Sequence, residues 1–184
     1  MKARYDYPDG LKSQRLITRL LTVDDVAAWA RFFEDEDALE FIPTFGHISA
    51  LEAADLWIGR QLERYRDNRL GLQALIDQAT GELVGLCGLL LQEVDGALEI
   101  EVGYHILKEH WGKGYAPEAA RLFIESAFRR NLADSVISII DTKNRRSQRV
   151  ADKNGLVCEK QTDWNGMDVY IYRISKDQWT SCTA

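Results

Sequence analysis

The stretch LEIEVGYHILKEHWGKGYAPEAARLFIESAF, residues 98–128, decides how the chain is read. Its first part alternates, with Leu98, Ile100, Val102, Tyr104 and Ile106 on one side and Glu99, Glu101, Gly103 and His105 on the other. A period of two predicts a strand with one apolar and one polar face. Further on the period changes. Ala116, Ala119, Ala120, Phe123, Ile124, Ala127 and Phe128 recur at three-then-four spacing, which predicts an amphipathic helix. Between the two lies Trp111-Gly112-Lys113-Gly114, where both glycines remove side chains that would keep a ligand's phosphates from the backbone. The first N–H groups of a helix have no intrahelical partners, and with the positive end of the helix dipole they form an anion site. Lys113 can add charge, and Pro117 in the first turn gives up an N–H that had no partner to lose. The plainer alternative is a tight turn before a helix. A nucleotide P-loop is excluded, because GKGY lacks the hydroxyl residue after GK, and no GxGxxG occurs.

Upstream, Arg15–Leu21 reads as a strand, followed by a helix that Thr22 caps and that Val26, Trp29, Ala30 and Phe33 line. A second helix covers Ser49–Arg66, after a loop holding Pro43 and Gly46. Strands are expected at Leu70–Ile76, Leu83–Leu91, Val136–Ile140 and Asp168–Ile174, with a short helix at Asn144–Asn154 stopped by Gly155. This order, two helices ahead of a mostly antiparallel sheet and then alternating elements, is α+β rather than doubly wound. One domain spans 14–176, with residues 1–13 as a leader and 177–184 as a tail.

A formal net charge of −6 argues against general nucleic-acid binding, which needs clustered Lys and Arg, and suits an amine-bearing substrate. No apolar run approaches the roughly 18 residues of a membrane-spanning helix, and the first residues do not read as a signal peptide. Cys87, Cys158 and Cys182 are scattered, without metal-ligand or CxxC spacing. No metal, no membrane and a cytoplasmic setting are expected.

WGKGYAPEA (111–119) resembles the coenzyme A loop of the GNAT superfamily of N-acetyltransferases, with Trp111 where Gln or Arg is general. An aromatic residue there is usual in the branch similar to the ribosomal-protein N-terminal (alanine/serine) acetyltransferases. Glu101-Val102-Gly103-Tyr104, SQRLITRLLTVDD (13–25) and NRRSQRVADKNGLV (144–157) resemble that branch's other motifs, in the same order. The resemblance implies a GNAT fold, a mixed, mostly antiparallel twisted sheet flanked by helices, with a splayed strand pair forming the coenzyme cleft. It implies acetyl-CoA as cosubstrate, with the N–H groups of Gly112, Gly114, Tyr115 and Ala116 on the pyrophosphate and the backbone near Tyr104, His105 and Ile106 pairing with the pantetheine arm. Asn144 would contact the pantetheine, and Ser147 would sit near the coenzyme sulfur. A homodimer is among the assemblies it implies.

Acetyl transfer to an amine needs a neutral nucleophile, a stabilised oxyanion and a leaving thiol. An α-amine, with a pKa of about 7.7–8.0, supplies some neutral form unaided, whereas a lysine at about 10.4 needs more help. Glu101 is the first choice of base, acting directly or through water, with Glu99 in reserve. The bland reading of each is an exposed strand glutamate. His105 has a suitable ordinary pKa, but a lone strand histidine is more often structural. Ser147 would hydrogen-bond or protonate the leaving thiolate, and Asn144 would cap its helix as well as touch the coenzyme. Tyr5, Tyr7, Trp57, Trp164 and Trp179 are cleft or packing aromatics, while the irregular segments Phe41–His47 and Asp163–Gly166 would grip the acceptor. The acceptor itself stays open between a protein N-terminus and a small-molecule amine. The rival reading is a CoA-binding regulatory module without turnover.

Overall fold

The computed structural model describes residues 9–42 and 46–183. Seven strands form one sheet in the order β1-β2-β3-β4-β5-β7-β6. They are β1 (Leu16–Arg19), β2 (Leu72–Asp77), β3 (Leu83–Val94), β4 (Ala97–Ile106), β5 (Ser135–Asp141), β6 (Val157–Trp164) and β7 (Met167–Ser175). Neighbouring strands are antiparallel except β4 and β5, whose register consists of the pair Glu101↔Ile137. Beyond that pair the two strands part.

The helices are α1 (Val26–Phe33), α2 (Glu36–Leu39), α3 (Ala50–Arg66), α4 (Tyr115–Arg129), α5 (Arg145–Lys153) and α6 (Lys176–Thr183). Several starts follow from local chemistry. Ser49 and Glu52 close a reciprocal capping box on α3, each bonding the other's backbone N–H. Asn144 Oδ1 accepts from Ser147 N at 3.1 Å and starts α5.

The sheet is covered on both faces. α4 lays Phe123, Ile124 and Ala127 against Val102 and Ile106, while α1 and α3 pack Trp29, Phe32 and Ile58 against Leu72, Leu86 and Leu107. This corrects the expectation of a polar open face on β4. Only the start of β4 is exposed; from Ile100 it is buried or half-buried on both sides, because Phe32 of α1 and Trp57 of α3 cover His105 while Gln92 and Ile139 close on Glu101.

Three elements go beyond the sequence reading: α2, the edge strand β6 and α6. Outside the 14–176 span, Leu11 packs on the core and Trp179 of α6 is buried beside Phe128, ring centroids 6.1 Å apart.

Candidate active site

The divergence of β4 from β5 opens a cleft of about 560 Å³. Period-two alternation gives its two sides different chemistry. Tyr104 lies on the α4 side, and its hydroxyl donates to the Ser147 carbonyl of α5 at 3.1 Å. Glu101 lies on the α3 side with His105, whose ring meets Trp57 at 4.9 Å and Phe32 at 5.7 Å between centroids. One strand thus carries a carboxyl group to one side of the opening and a phenol to the other.

Glu101 is 8% exposed, and its carboxyl accepts from Gln92 Nε2 at 2.8 Å and from the Ile139 N–H at 3.4 Å. Burial is the largest influence on it and raises its pKa above the ordinary value of 4.5, against those two hydrogen bonds. A carboxylate with raised pKa is a stronger base, provided it is still ionised at working pH. Glu99, two residues earlier, has another fate. It is paired with Arg173 at 2.8 Å, which holds its pKa below the usual range, so it does not share the cleft. His105 is pushed down to about 4 by burial, which keeps the ring uncharged near neutrality.

The backbone facing the gap can be read from its partners. Val102 and Ile106 turn their carbonyls to the β5 side, where they accept from Ser138 Oγ at 3.3 Å and Trp111 Nε1 at 2.7 Å. Tyr104, between them in the alternation, faces the same way and offers both its N–H and C=O. His105 faces β3 instead. Its carbonyl lies against Gly85, and its neighbour Leu107 donates to Val84 at 3.0 Å. Of the strand positions expected to pair with a ligand, Tyr104 is therefore the complete one. Ile106 retains its N–H, and His105 contributes a side chain rather than backbone.

Gly112 and Gly114 take φ values of 76° and 82°, left-handed conformations that a side chain would strain. Gly114 is the N-cap of α4, so the N–H groups of Tyr115 and Ala116 point out of the helix end with no intrahelical partner. Arg15 of the N-terminal segment fastens this turn. It donates to the Lys113 carbonyl at 2.8 Å, pairs with Glu118 at 2.6 Å and lies over the Tyr115 ring at 4.7 Å. Glu118 also accepts from Ser13 Oγ and Arg15 N, so its negative charge near the helix start is well matched by donors.

Glu101, Tyr104, His105, Ile106, Trp111, Gly112, Gly114, Tyr115, Ala116, Asn144 and Ser147 all border the cleft. Lys113 does not border it; its Nζ lies 3.3 Å from His110 Nδ1. Phe41, Trp57 and Trp164 border it too, and Trp164 is anchored by its Nε1 donating to the Glu93 carbonyl at 3.0 Å. Tyr5, Tyr7 and residues 43–45 lie outside the described residues. Sequence reasoning missed Gln92, Phe32, Arg15 and Arg146. Arg146 stacks over Trp111 at 4.3 Å and pairs with Glu40 at 3.1 Å, joining α5 to the segment after α2. No local pattern marks any of the four, because their partners are distant in sequence. Among the described residues, no group of His, Cys, Asp and Glu is placed to hold a metal, and no helix is long and apolar enough to cross a membrane.

A wedge between parallel strands, opening onto the glycine-turned start of a helix, is the arrangement the sequence resemblance implied. Residues 15–157 match the family model described as an acetyltransferase (GNAT) domain. The protein YkkB of Bacillus subtilis is 28% identical over 143 residues, covering 77% of this chain and 81% of that one. A GNAT-family acetyltransferase structure from Bacillus anthracis superposes with a TM-score of 0.75 at 22% identity, covering 91% of this chain and 99% of that one. The structure of RimL, a ribosomal L7/L12 α-N-protein acetyltransferase in complex with coenzyme A, gives 0.74 at 16%, with 92% and 99% covered. The chain therefore belongs to the GNAT acetyltransferase family.

Proposed function

We propose that the protein moves the acetyl group of acetyl-CoA to a primary amine by direct attack within a ternary complex. The observation that carries this reading is the parting of β4 and β5 beyond Glu101↔Ile137, which sets the Glu101 carboxyl and the Tyr104–Ser147 pair on opposite sides of one opening. Acetyl-CoA fits this cleft. The N–H groups at Gly112, Gly114, Tyr115 and Ala116 suit a pyrophosphate, and the unpaired backbone of Tyr104 suits an amide-bearing arm. Asn144 and Ser147 border the same channel.

In this mechanism the amine nitrogen attacks the thioester carbonyl carbon, and the C–S bond breaks. Glu101 takes a proton from the amine, directly or through water, and burial strengthens it for that task. The carbonyl oxygen, as it gains charge, is stabilised by a backbone N–H of the splayed strand, a donor fixed in advance. On the far side the leaving sulfur is met by Ser147, whose helix Tyr104 fastens by donating its hydroxyl to the Ser147 carbonyl at 3.1 Å. Burial raises the phenol's pKa, so it stays protonated and holds that hydrogen bond. A covalent acetyl-cysteine has little support. Cys87 is fully buried in β3, with its thiol pushed far above the usual range, and Cys158 is exposed and does not border the cleft. Unpaired cysteines also suit a cytoplasmic setting.

The test is thermal unfolding with saturating acetyl-CoA, CoA or ATP, followed by thiol release with amine acceptors. A ligand at about 100 times its Kd stabilises the native state by roughly 2.7 kcal/mol. For a domain of this size that raises Tm by about 5–10 °C. A rise with both CoA forms and not with ATP, together with amine-dependent thiol release, is expected. No rise refutes the coenzyme site, whereas a rise without thiol release from any amine favours a regulatory CoA-binding module.

A further inference from the structure

The acetyl-transfer reading leaves the acceptor open, and the α3 side of the cleft bears on it. Glu101 lies at the base of this side, beside Gln92. Further along β4 on the same side, the His105 ring packs edge to face against Phe32 and Trp57, and Ile42 and Leu90 also line the cleft. Ile139 and Met167 border the cleft from the β5–β7 side. Apart from Glu101 and Gln92, this side of the lining is thus aromatic or aliphatic, and His105 stays uncharged near neutrality.

The distribution of charge sharpens the point. Among the described residues, the basic side chains bordering the cleft are Arg146, Arg149 and Lys153, all on α5, and Arg146 is already paired with Glu40. Arg64 of α3, whose charge Glu101 feels, donates to the Leu70 carbonyl at 3.3 Å and does not border the cleft. A free amino acid would place its carboxylate close to its amine, beside Glu101, with no cation at hand to match it. Of the other acidic groups at the cleft, Asp37 is already paired and Asp141 lies across the opening on β5. Asp37 pairs with Lys108 at 2.7 Å, and Asp141 accepts from the Lys143 N–H at 2.8 Å. A polyamine or multiply charged amino sugar would therefore leave its second ammonium group unpaired in an apolar chamber, at a considerable desolvation cost.

We infer that this chamber is the acceptor site and that its substrate is a monoamine carried on a short arm from an aromatic or bulky apolar group. The inference rests on the acetyl-transfer reading. An ammonium group entering over Trp57 and Phe32 is attracted by the ring faces. It then meets Glu101, loses one proton there and attacks as the neutral amine. The amine's second transferable proton leaves with the departing thiol, so the products are the acetamide and CoA thiol. The aromatic group of the substrate fills the space among Trp57, Phe32 and Ile42, where apolar surface leaves water.

The experiment measures thiol release at saturating acetyl-CoA with 2-phenylethylamine, spermidine, glycine and a short peptide beginning with phenylalanine. The expected result is a kcat/KM for 2-phenylethylamine at least ten-fold above spermidine and glycine. Trp57→Ala should raise its KM about ten-fold, and Trp57→Phe should recover most of the loss. The acetyl-CoA-induced rise in Tm is measured on each variant and should persist, which separates a lost chamber wall from a lost fold. Faster use of the peptide supports the same chamber and assigns it to chain termini with an aromatic first residue. Spermidine or glycine used as well as 2-phenylethylamine, or an unchanged KM in folded Trp57→Ala, overturns the inference and leaves acetyl transfer standing. Thiol release from none of the four by a protein that still binds acetyl-CoA overturns the inference together with the transfer reading.

Discussion

Replacing Glu101 by glutamine removes the proposed base while keeping the shape of the side chain. The new carboxamide can still accept from Gln92 Nε2, at 2.8 Å in the native protein, so packing at the floor of the cleft is preserved. What is lost is a proton acceptor, and general-base catalysis is worth about 10²–10⁴-fold in rate. That corresponds to about 3–5 kcal/mol of barrier. The variant should therefore lose at least a hundred-fold in kcat with an unchanged KM for acetyl-CoA. Stability should move the other way. Burial raises the Glu101 pKa in the folded protein, so the folded state binds this proton more tightly than the unfolded chain does. Wild-type stability then falls as pH climbs from about 4.5 through the folded pKa, and it stays lowered above that point. Glutamine has no such penalty. Glu101→Gln should melt higher than wild type at pH 7.5, and the gap should close below about pH 4.5. Stopped assays of thiol release and melting curves across pH check both halves. Retained kcat, or a variant that melts lower at pH 7.5 than at pH 4.5 relative to wild type, would refute the assignment of Glu101 as a buried base.

Gly114→Ala forces a side chain into a φ of 82° and sets its Cβ 3.4 Å from Arg15 Nη2. It should cost about 1–2 kcal/mol of stability and weaken acetyl-CoA binding, read by melting temperature and titration calorimetry. Glu99→Gln breaks the pair with Arg173, whose partners are both largely buried, and should cost about 1 kcal/mol while leaving kcat intact. The pair depresses the Glu99 pKa, so its contribution is present above the unfolded value of about 4.5 and is lost as pH falls through the folded one. The melting difference between wild type and Glu99→Gln should accordingly vanish in acid.

The contrast between these two glutamates marks how far sequence pattern reaches. Both lie on the same side of β4, two residues apart, and alternation alone cannot rank them. The distinction comes from depth. Glu101 is buried and held by Gln92 and the Ile139 N–H, whereas Glu99 stops at the sheet's flank beside Arg173. The loop and helix at 111–128 were legible because glycine placement and a full apolar stripe both act locally. The strand β6 was not, since Val157–Trp164 is exposed along most of its length and carries no apolar alternation. The four-residue helix α2 is too short to leave a periodic signal. Trp57 illustrates the same limit, for its place on α3 was legible but its neighbour His105, on β4, was not.

The fastening of the glycine turn by Arg15 also bears on when the protein becomes competent during folding. Arg15 reaches Lys113 and Glu118 across about a hundred positions of chain, and Tyr115 donates to Asp77 of β2. Such distant closures carry the largest loop-entropy cost and form late in chains with many non-local contacts. Helices α3 and α4 can assemble from nearby residues well before that. The glycine turn should therefore gain its final shape only when the first strand docks, so regained affinity for the proposed coenzyme would trail regained helicity during refolding and report completion of the whole sheet.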